Sequence, residues 1–156
     1  MFEIKYSFAE DYTEAGKNVD ETALRYELFL GSFRLEKDDK TLSVDWNWIP
    51  LLDFALCLQT ICNRLNKQAG GEEIFDFTES DATITFRRNE DKCEIFTSFS
   101  DTSFMMNYPE FQEAVRLFSK KVITDILSKN EKLKDNRVFK KALKNAGLKI
   151  DKRYNI

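Results

Sequence analysis

The stretch "DWNWIPLLDFALCLQTICNRL" (residues 45–65) predicts the central helix of the fold. At about 100° per residue, its apolar side chains form one stripe, which consists of Leu51, Phe54, Ala55, Leu58, Ile61, Cys62 and Leu65. Leu52 and Leu56 widen this stripe on one flank. Asn47 can cap the start, and Pro50 falls in the first turn, where proline is tolerated. The glycines of "QAGGEE" predict that the helix ends at about residue 68.

Asp53 is the one acidic residue inside this apolar run, and it admits two interpretations. Helical spacing places Asp53, Cys57, Thr60 and Arg64 close together, away from the apolar stripe. They could form a functional seam with a carboxylate and a thiol, or a narrow solvent-facing edge of a helix covered on both flanks. Because an isolated aspartate is rarely buried, we interpret Asp53 as an edge residue. Its mutation should then affect stability or packing before it affects function.

Alternating apolar residues predict strands on the N-terminal side of this helix. "FEIKYSF" (residues 2–8) alternates cleanly and predicts a half-buried strand. Residues 22–46 predict a hairpin that turns at "KDDK" (37–40), with Leu24, Tyr26, Leu28 and Leu30 in phase. Gly31 then interrupts the alternation, which predicts a bulge or kink at that point.

Short strands separated by polar turns follow the central helix and predict an antiparallel meander. They cover residues 73–78, 82–88, 92–99 and 102–108, and the side chains expected to face the helices are Ile84, Phe86, Cys93, Ile95 and Phe99. A second long helix starts at Asn107, with Pro109 in its first turn and Glu110 in the capping-box position. Its stripe consists of Phe111, Val115, Phe118, Val122 and Ile126. A basic amphipathic segment at residues 135–147 ends at Gly147.

These elements predict an α+β fold: a largely antiparallel sheet of six or seven strands with two or three helices packed on one face. The other face of the sheet would be open to solvent or to a partner. Length and composition indicate a single globular domain over residues 1–147, and residues 148–156 are expected to be a flexible basic tail.

The sequence has no histidine and three cysteines. Without histidine there can be no Ser-His or Cys-His nucleophile pair, and the commonest general base and metal ligand are missing. Carboxylates, lysine and tyrosine remain as catalytic groups, but no short spacing singles out a carboxylate pair. The cysteines lack a CxxC spacing, which argues against a zinc site and favours a reducing cytoplasm. We therefore predict a protein that is no enzyme and that binds no metal or cofactor.

No apolar run reaches the roughly 18 residues of a membrane helix, so we expect no membrane partner. The N-terminus "MFEIKYSFAEDY" lacks a basic region followed by an apolar block, and we expect no secretory signal. Cytoplasmic localisation is therefore the expectation. The sequence leaves the oligomeric state open.

Charge is distributed unevenly along the chain. Residues 129–156 hold ten basic and three acidic residues, or +7, so residues 1–128 carry −10 of the total of −3. The acidic residues are either ordinary solubility charge or a surface that attracts a basic partner. We take the second interpretation for two clusters, one in the loop before the hairpin and one around a strand turn: Glu10, Asp11, Glu14, Asp20, Glu21, Asp76, Glu79 and Asp81.

The basic segment 129–153 supports an alternative, a nucleic-acid-associated module. Its lysines alternate with a regular apolar stripe, which is typical of a surface helix docked on a core. It has no interleaved aromatic residues of the kind that stack on bases. The acidic remainder of the chain would also repel a phosphate backbone, so this alternative ranks second.

Three stretches in order resemble the small immunity proteins of bacterial polymorphic toxin systems, including those of contact-dependent growth inhibition. They are "FRLEKDDKTLSVDW…LLDFALCL", "FDFTESDATITFRR" and "MNYPEFQEAVRLFSKKVITDIL", within residues 24–128. The resemblance implies a cytoplasmic protein without enzymatic activity that binds a cognate toxin domain and blocks it. Many such toxins are nucleases with basic surfaces, which suits an acidic body. The resemblance carries no functional residues over, because partner contacts vary most among such proteins.

Overall fold

A computed structural model describes residues 1–9 and 18–148. In this part of the chain seven strands and three α-helices follow one another. The strands are β1 (Glu3–Phe8), β2 (Leu30–Lys37), β3 (Lys40–Pro50), β4 (Glu72–Asp76), β5 (Thr83–Asn89), β6 (Lys92–Thr97) and β7 (Phe104–Asn107). The α-helices are α1 (Leu51–Asn66), α2 (Tyr108–Lys129) and α3 (Arg137–Asn145), with a short π-helix at Ala23–Glu27 and a 3-10 helix at Glu131–Asp135.

The strands form two antiparallel sheets with the orders β1-β2-β3 and β4-β5-β6-β7. The α+β class and antiparallel pairing therefore agree with the prediction, whereas the single continuous sheet does not. The division falls at α1, which follows β3 without a loop and contacts both sheets. The ring of Phe54 on α1 stacks on Phe33 of the first sheet at 4.3 Å and meets Phe75 of the second at 4.9 Å. Each sheet therefore packs apolar side chains against the same helix.

The apolar stripe predicted for the central helix is confirmed, since all of its members are buried, as are Leu52 and Leu56. Its predicted start is wrong: α1 begins at Leu51, and Pro50 occupies the N-cap position. Asn47 lies within β3 with a left-handed backbone (φ 62°). Asparagine is one of the few residues that adopt this conformation readily. Asn47 therefore occupies an irregular position within β3 and does not cap α1.

Residues 22–30 are not a continuous strand, although their alternation predicted one. Ala23–Glu27 form the π-helix, and β2 starts only at Leu30. The Asp20 carboxylate accepts a hydrogen bond from the Ala23 amide and supports the start of this turn. Helical geometry brings Arg25 to an acidic partner on α1, and this tertiary contact outweighs the local β-pattern.

The predicted irregularity at Gly31 is confirmed, but the extra residues belong to the partner strand. Gly31 pairs with Ile49 and Phe33 pairs with Val44, so Ser32 alone stands opposite residues 45–48. We call residues 45–48 the bulge. Both tryptophans of the sequence, Trp46 and Trp48, lie in it.

The later helices follow their predicted stripes. All five predicted stripe residues of α2 are buried, and α3 buries Phe139, Ala142 and Leu143. Glu110 makes no capping box: its carboxylate accepts a hydrogen bond from the Phe2 amide and pairs with Lys37. Among the meander residues Phe99 is 36% exposed, so its predicted inward orientation is wrong because β6 ends at Thr97. Of the predicted tail, all but Leu148 lies outside the described residues.

Gly31 provides a direct test of how closely β1, β2 and α1 approach. A Cβ atom at this position would lie 2.1 Å from the Ser7 carbonyl oxygen and 2.8 Å from Leu51 Cδ1. Gly31→Ala should therefore lower the free energy of unfolding by about 3 kcal/mol, at the upper end of overpacking penalties. Chemical denaturation measures this change. Gly70→Ala is the matched control, because nothing lies within 4 Å of its Cβ, and an equal loss in both variants would contradict the packing described.

Candidate partner-binding surface

Asp53 is not a solvent-facing edge residue. Its side chain is buried, its Oδ1 accepts a hydrogen bond from Arg25 Nε at 2.7 Å, and Arg25 Nη2 forms an ion pair with the same oxygen at 2.6 Å. Burial raises the pKa of the Asp53 carboxyl, and Arg25 opposes that shift. Asp53 therefore forms a largely buried ion pair with Arg25, which holds the π-helix on α1. That a mutation of Asp53 affects stability or packing before it affects function remains a prediction.

The cysteine nearest to Asp53 is unsuited to nucleophilic chemistry. Burial and the neighbouring Asp53 carboxylate raise the pKa of Cys57 to about 11, so the reactive thiolate is scarce at neutral pH. Burial also raises the pKa of the buried Cys93 to about 12. Within residues 1–9 and 18–148 no group of three or more acidic or cysteine side chains is placed to hold a metal ion. These features direct attention to the surface.

The bulge is held open by the side chain of a single serine. Ser32 Oγ accepts a hydrogen bond from the Asn47 amide and donates one to Asn47 Oδ1, both at 3.0 Å. The serine hydroxyl replaces backbone partners that the interrupted ladder cannot offer. With Asn47 in the left-handed region, the two flanking tryptophan rings come to the same side and stack at 5.2 Å.

Two phenylalanines that follow α1 in the chain complete an aromatic cluster with these tryptophans. Phe77 lies 5.0 Å from Trp46, and Phe99 lies 5.2 Å from Trp46 and 5.9 Å from Phe77, measured between ring centroids. We define Trp46, Trp48, Phe77 and Phe99 as the aromatic cluster. Phe77 is buried, the tryptophans are partly buried and Phe99 is exposed. The cluster thus presents a partly exposed aromatic surface that is anchored in the core.

Three of the predicted partner-binding residues lie close in sequence to Phe77, a member of this cluster. All three are exposed: Asp76 is the last residue of β4, and Glu79 and Asp81 lie in the connection between β4 and β5, which also carries Phe77. We call residues 76–81 the acidic turn. The turn is closed by hydrogen bonds from the Phe77 amide to the Ala82 carbonyl and from the Ala82 amide to Ser80 Oγ. Because Phe77 belongs to both, the structure places the acidic turn beside the partly exposed aromatic cluster.

Of the other predicted site residues, Asp20 and Glu21 lie within the described part of the chain. Glu21 is exposed, and Asp20, just before the π-helix, uses its carboxylate to support the start of that helix. Glu10, Asp11 and Glu14 lie outside the described residues. The prediction of one acidic loop before the hairpin therefore stays untested for those three.

The basic segment presents a second charged surface. On α3 the side chains of Lys140, Lys141 and Lys144 are exposed, while the apolar residues between them pack inward. Asn63 Nδ2 on α1 donates a hydrogen bond to the Ala146 carbonyl, which ties the end of α3 to the central helix. This agrees with the expected surface helix docked on a core.

Comparisons of the chain with protein-family models, with curated proteins and with solved structures found no match. None of the helices within the described residues has the length and apolar character needed to cross a membrane. The surfaces that bear on function are therefore the aromatic cluster with the acidic turn and the exposed lysines of α3.

Removing the partner of Asp53 should expose the cost of its burial. Arg25→Met leaves a buried carboxylate without its cation and should lower the free energy of unfolding by about 3 kcal/mol near neutral pH. Without Arg25 the folded-state pKa of Asp53 rises further above its unfolded value, so the folded protein retains its proton more readily. The variant should therefore lose stability as pH rises through that window and recover it as pH falls.

Urea denaturation between about pH 4 and about pH 7.5 measures this dependence. Arg64→Met is the control, because this exposed arginine on α1, the helix that carries Asp53, forms only a surface ion pair with Glu73. Such a pair contributes less than about 1 kcal/mol. A penalty for Arg25→Met that is independent of pH would show that Asp53 is not the group responsible.

Proposed function

We propose that this protein is a non-enzymatic immunity protein that binds a cognate toxin domain and neutralises it by covering its active site or substrate surface. The observation that carries the proposal is the adjacency of the aromatic cluster and the acidic turn. The order of motifs that resembles bacterial immunity proteins supports the same assignment. Cytoplasmic location is part of the proposal, since such proteins meet their toxins there.

The aromatic cluster would supply the binding energy. Partly exposed tryptophan rings backed by well-packed neighbours are among the residues on which interfaces most often depend. Trp46 and Trp48 are already stacked on each other, and Trp46 also contacts Phe77, so little rotamer freedom remains to be lost on binding. A partner that covers them gains contact area at low entropic cost.

The acidic turn would select the partner. Three exposed carboxylates at one turn create a negative potential, which accelerates association with a basic surface and disfavours acidic ones. A nuclease domain binds phosphates through such a basic surface. Carboxylates placed there occupy the position of phosphates, and the toxin is blocked without any chemical step by the inhibitor.

The exposed lysines of α3 favour a second candidate, a nucleic-acid-associated module. The triple variant Lys140→Glu, Lys141→Glu and Lys144→Glu separates the two functions. If the immunity function is correct, this variant still binds the toxin domain. If nucleic acid is the partner, it loses retention on a duplex DNA or RNA column at low salt, and the dependence on salt flattens.

Co-expression tests the proposal directly. The probe is the toxin domain that the proposal places in a neighbouring gene, at the C-terminus of a large secreted protein, expressed with and without this chain. We expect rescued growth and a complex that survives purification. Glu79→Lys with Asp81→Lys should slow association by about tenfold at low ionic strength, because the turn then repels a basic partner. Surface plasmon resonance measures the rate.

The matched control is Asp39→Lys with Asp91→Lys, which changes the net charge equally at exposed turns on other parts of the chain. It should leave the association rate within about twofold, since only the global charge is altered. Equal slowing by both variants would mean that net charge, and not the acidic turn, steers the partner. Absence of both rescue and complex would overturn the immunity function itself.

A further inference from the structure

β1 is an edge strand, and its outward backbone groups at Ile4 and Tyr6 are open. The first sheet has the order β1-β2-β3, and no strand among the described residues pairs with the other side of β1. The Ala9 amide donates to the Leu30 carbonyl, which identifies this pair as a hydrogen-bonded one. Every second pair along the register is then of the same kind, namely Ser7/Ser32, Lys5/Arg34 and Glu3/Glu36.

The even-numbered residues of β1 therefore direct their amides and carbonyls away from β2. The structure contains an independent sign of this parity, because the Phe2 amide donates outward to Glu110 Oε2 on α2 at 2.6 Å. The amides of Ile4 and Tyr6 make no such bond with any other residue of the described chain. Together these two residues offer two donors and two acceptors along an open edge.

A cleft of about 790 Å³ runs between this edge and α2. Strand and helix run in the same direction beside it, since Phe2 contacts Glu110 at one end and Tyr6 contacts Phe118 and Asp125 at the other. The walls are mainly apolar and include Ile4, Ala114 and Leu117. Leu117 is 48% exposed although it sits on a helix that otherwise buries its apolar stripe. The volume lies within the range of ordinary ligand clefts.

Lys121 marks one end of the cleft with a positive charge. Its ammonium group lies 5.7 Å from the centroid of the Tyr6 ring and forms no ion pair with any described residue. Asp125, one turn further along α2, is engaged by the Tyr6 hydroxyl instead. The end of the cleft beside Tyr6 therefore complements an acidic group on whatever occupies it.

We propose that the β1 edge and α2 bind an extended segment of a partner protein, which adds to the sheet as a fourth, antiparallel strand. Its backbone bonds to Ile4 and Tyr6, and its alternate apolar side chains enter the cleft over Leu117 and Ala114. An acidic residue at its N-terminal end meets Lys121. Strand addition beside a helix gives affinity through the main chain and specificity through the alternate side chains.

This binding mode is independent of the proposed immunity function. The bulge with its tryptophans belongs to β3, and β1 is the opposite edge of the same three-stranded sheet. Variants at one edge leave the other intact, so the two proposals can fail separately. The exposed Leu117 and the open amides are not used by the acidic turn or the aromatic cluster.

The probe is the peptide Ac-Glu-Thr-Val-Thr-Val-Thr-NH2, added to the ¹⁵N-labelled full chain and followed by NMR. We expect a dissociation constant on the order of millimolar, as short flexible peptides pay for their ordering. The amides of Ile4 and Tyr6 should shift and exchange more slowly with solvent. Absence of any shift at these amides overturns the proposal.

The backbone contact is tested by comparing Ile4→Pro with Ile4→Ala. Proline removes only the outward amide and is tolerated on an edge strand, whereas both variants shorten the side chain. Ile4→Pro should bind the peptide about tenfold more weakly than Ile4→Ala, the loss expected for one or two hydrogen bonds. Equal binding by the two variants overturns strand addition.

The charge contact is tested by a swap that requires no change in β1. Lys121→Glu should prefer Ac-Lys-Thr-Val-Thr-Val-Thr-NH2, and the unchanged protein should prefer the glutamate peptide. An unaltered preference overturns the assigned direction of the segment. A second copy of the chain could also occupy the edge, and sedimentation of the free protein tests this alternative. A dimer that Ile4→Pro dissociates would assign the edge to a second copy and overturn the proposal.

Discussion

The ring of Phe54 contacts both sheets, and the position of α1 makes this possible. The helix starts directly after β3, and the Leu51 amide donates to the Phe29 carbonyl, so its first turn is fixed to the first sheet. Phe54 on that turn then stacks on Phe33 and meets Phe75 edge-on, while Phe118 of α2 closes the group at 5.6 Å. Aromatic pairs of this kind add about 0.5–1.5 kcal/mol each beyond their burial.

The parts of the fold that depend on local period were predictable. The stripes of α1 and α2 repeat every three or four residues, and the meander strands alternate between polar turns, so their existence followed from sequence. The π-helix did not, because "ALRYELFL" alternates like a strand and its conformation is set by Arg25 reaching Asp53, 28 residues away. The division into two sheets was equally hidden, since strand pairing is non-local and neither β3 nor β4 signals an edge.

The candidate site shows the same limit. Asp76, Glu79 and Asp81 could be proposed from the sequence, because charge around a turn is visible in one dimension. The aromatic cluster was missed, and Phe99 was assigned to the core, because the cluster joins residues from three separate parts of the chain. The pair Trp46 and Trp48 was a usable signal, yet the bulge that aligns the rings depends on Ser32 across the sheet. A serine in an apolar strand carries no local mark of that role.

The bulge has a consequence for how this protein can be observed in solution. Both of its tryptophans stand there, stacked and partly open to solvent, so the indole emission of the whole molecule originates from one small region. A molecule that covers the rings alters their water contact and shifts the emission, whereas occupancy of the far edge of the same sheet leaves the spectrum as it was. The wavelength of tryptophan emission therefore distinguishes binding at the β3 edge of the sheet from binding at the β1 edge.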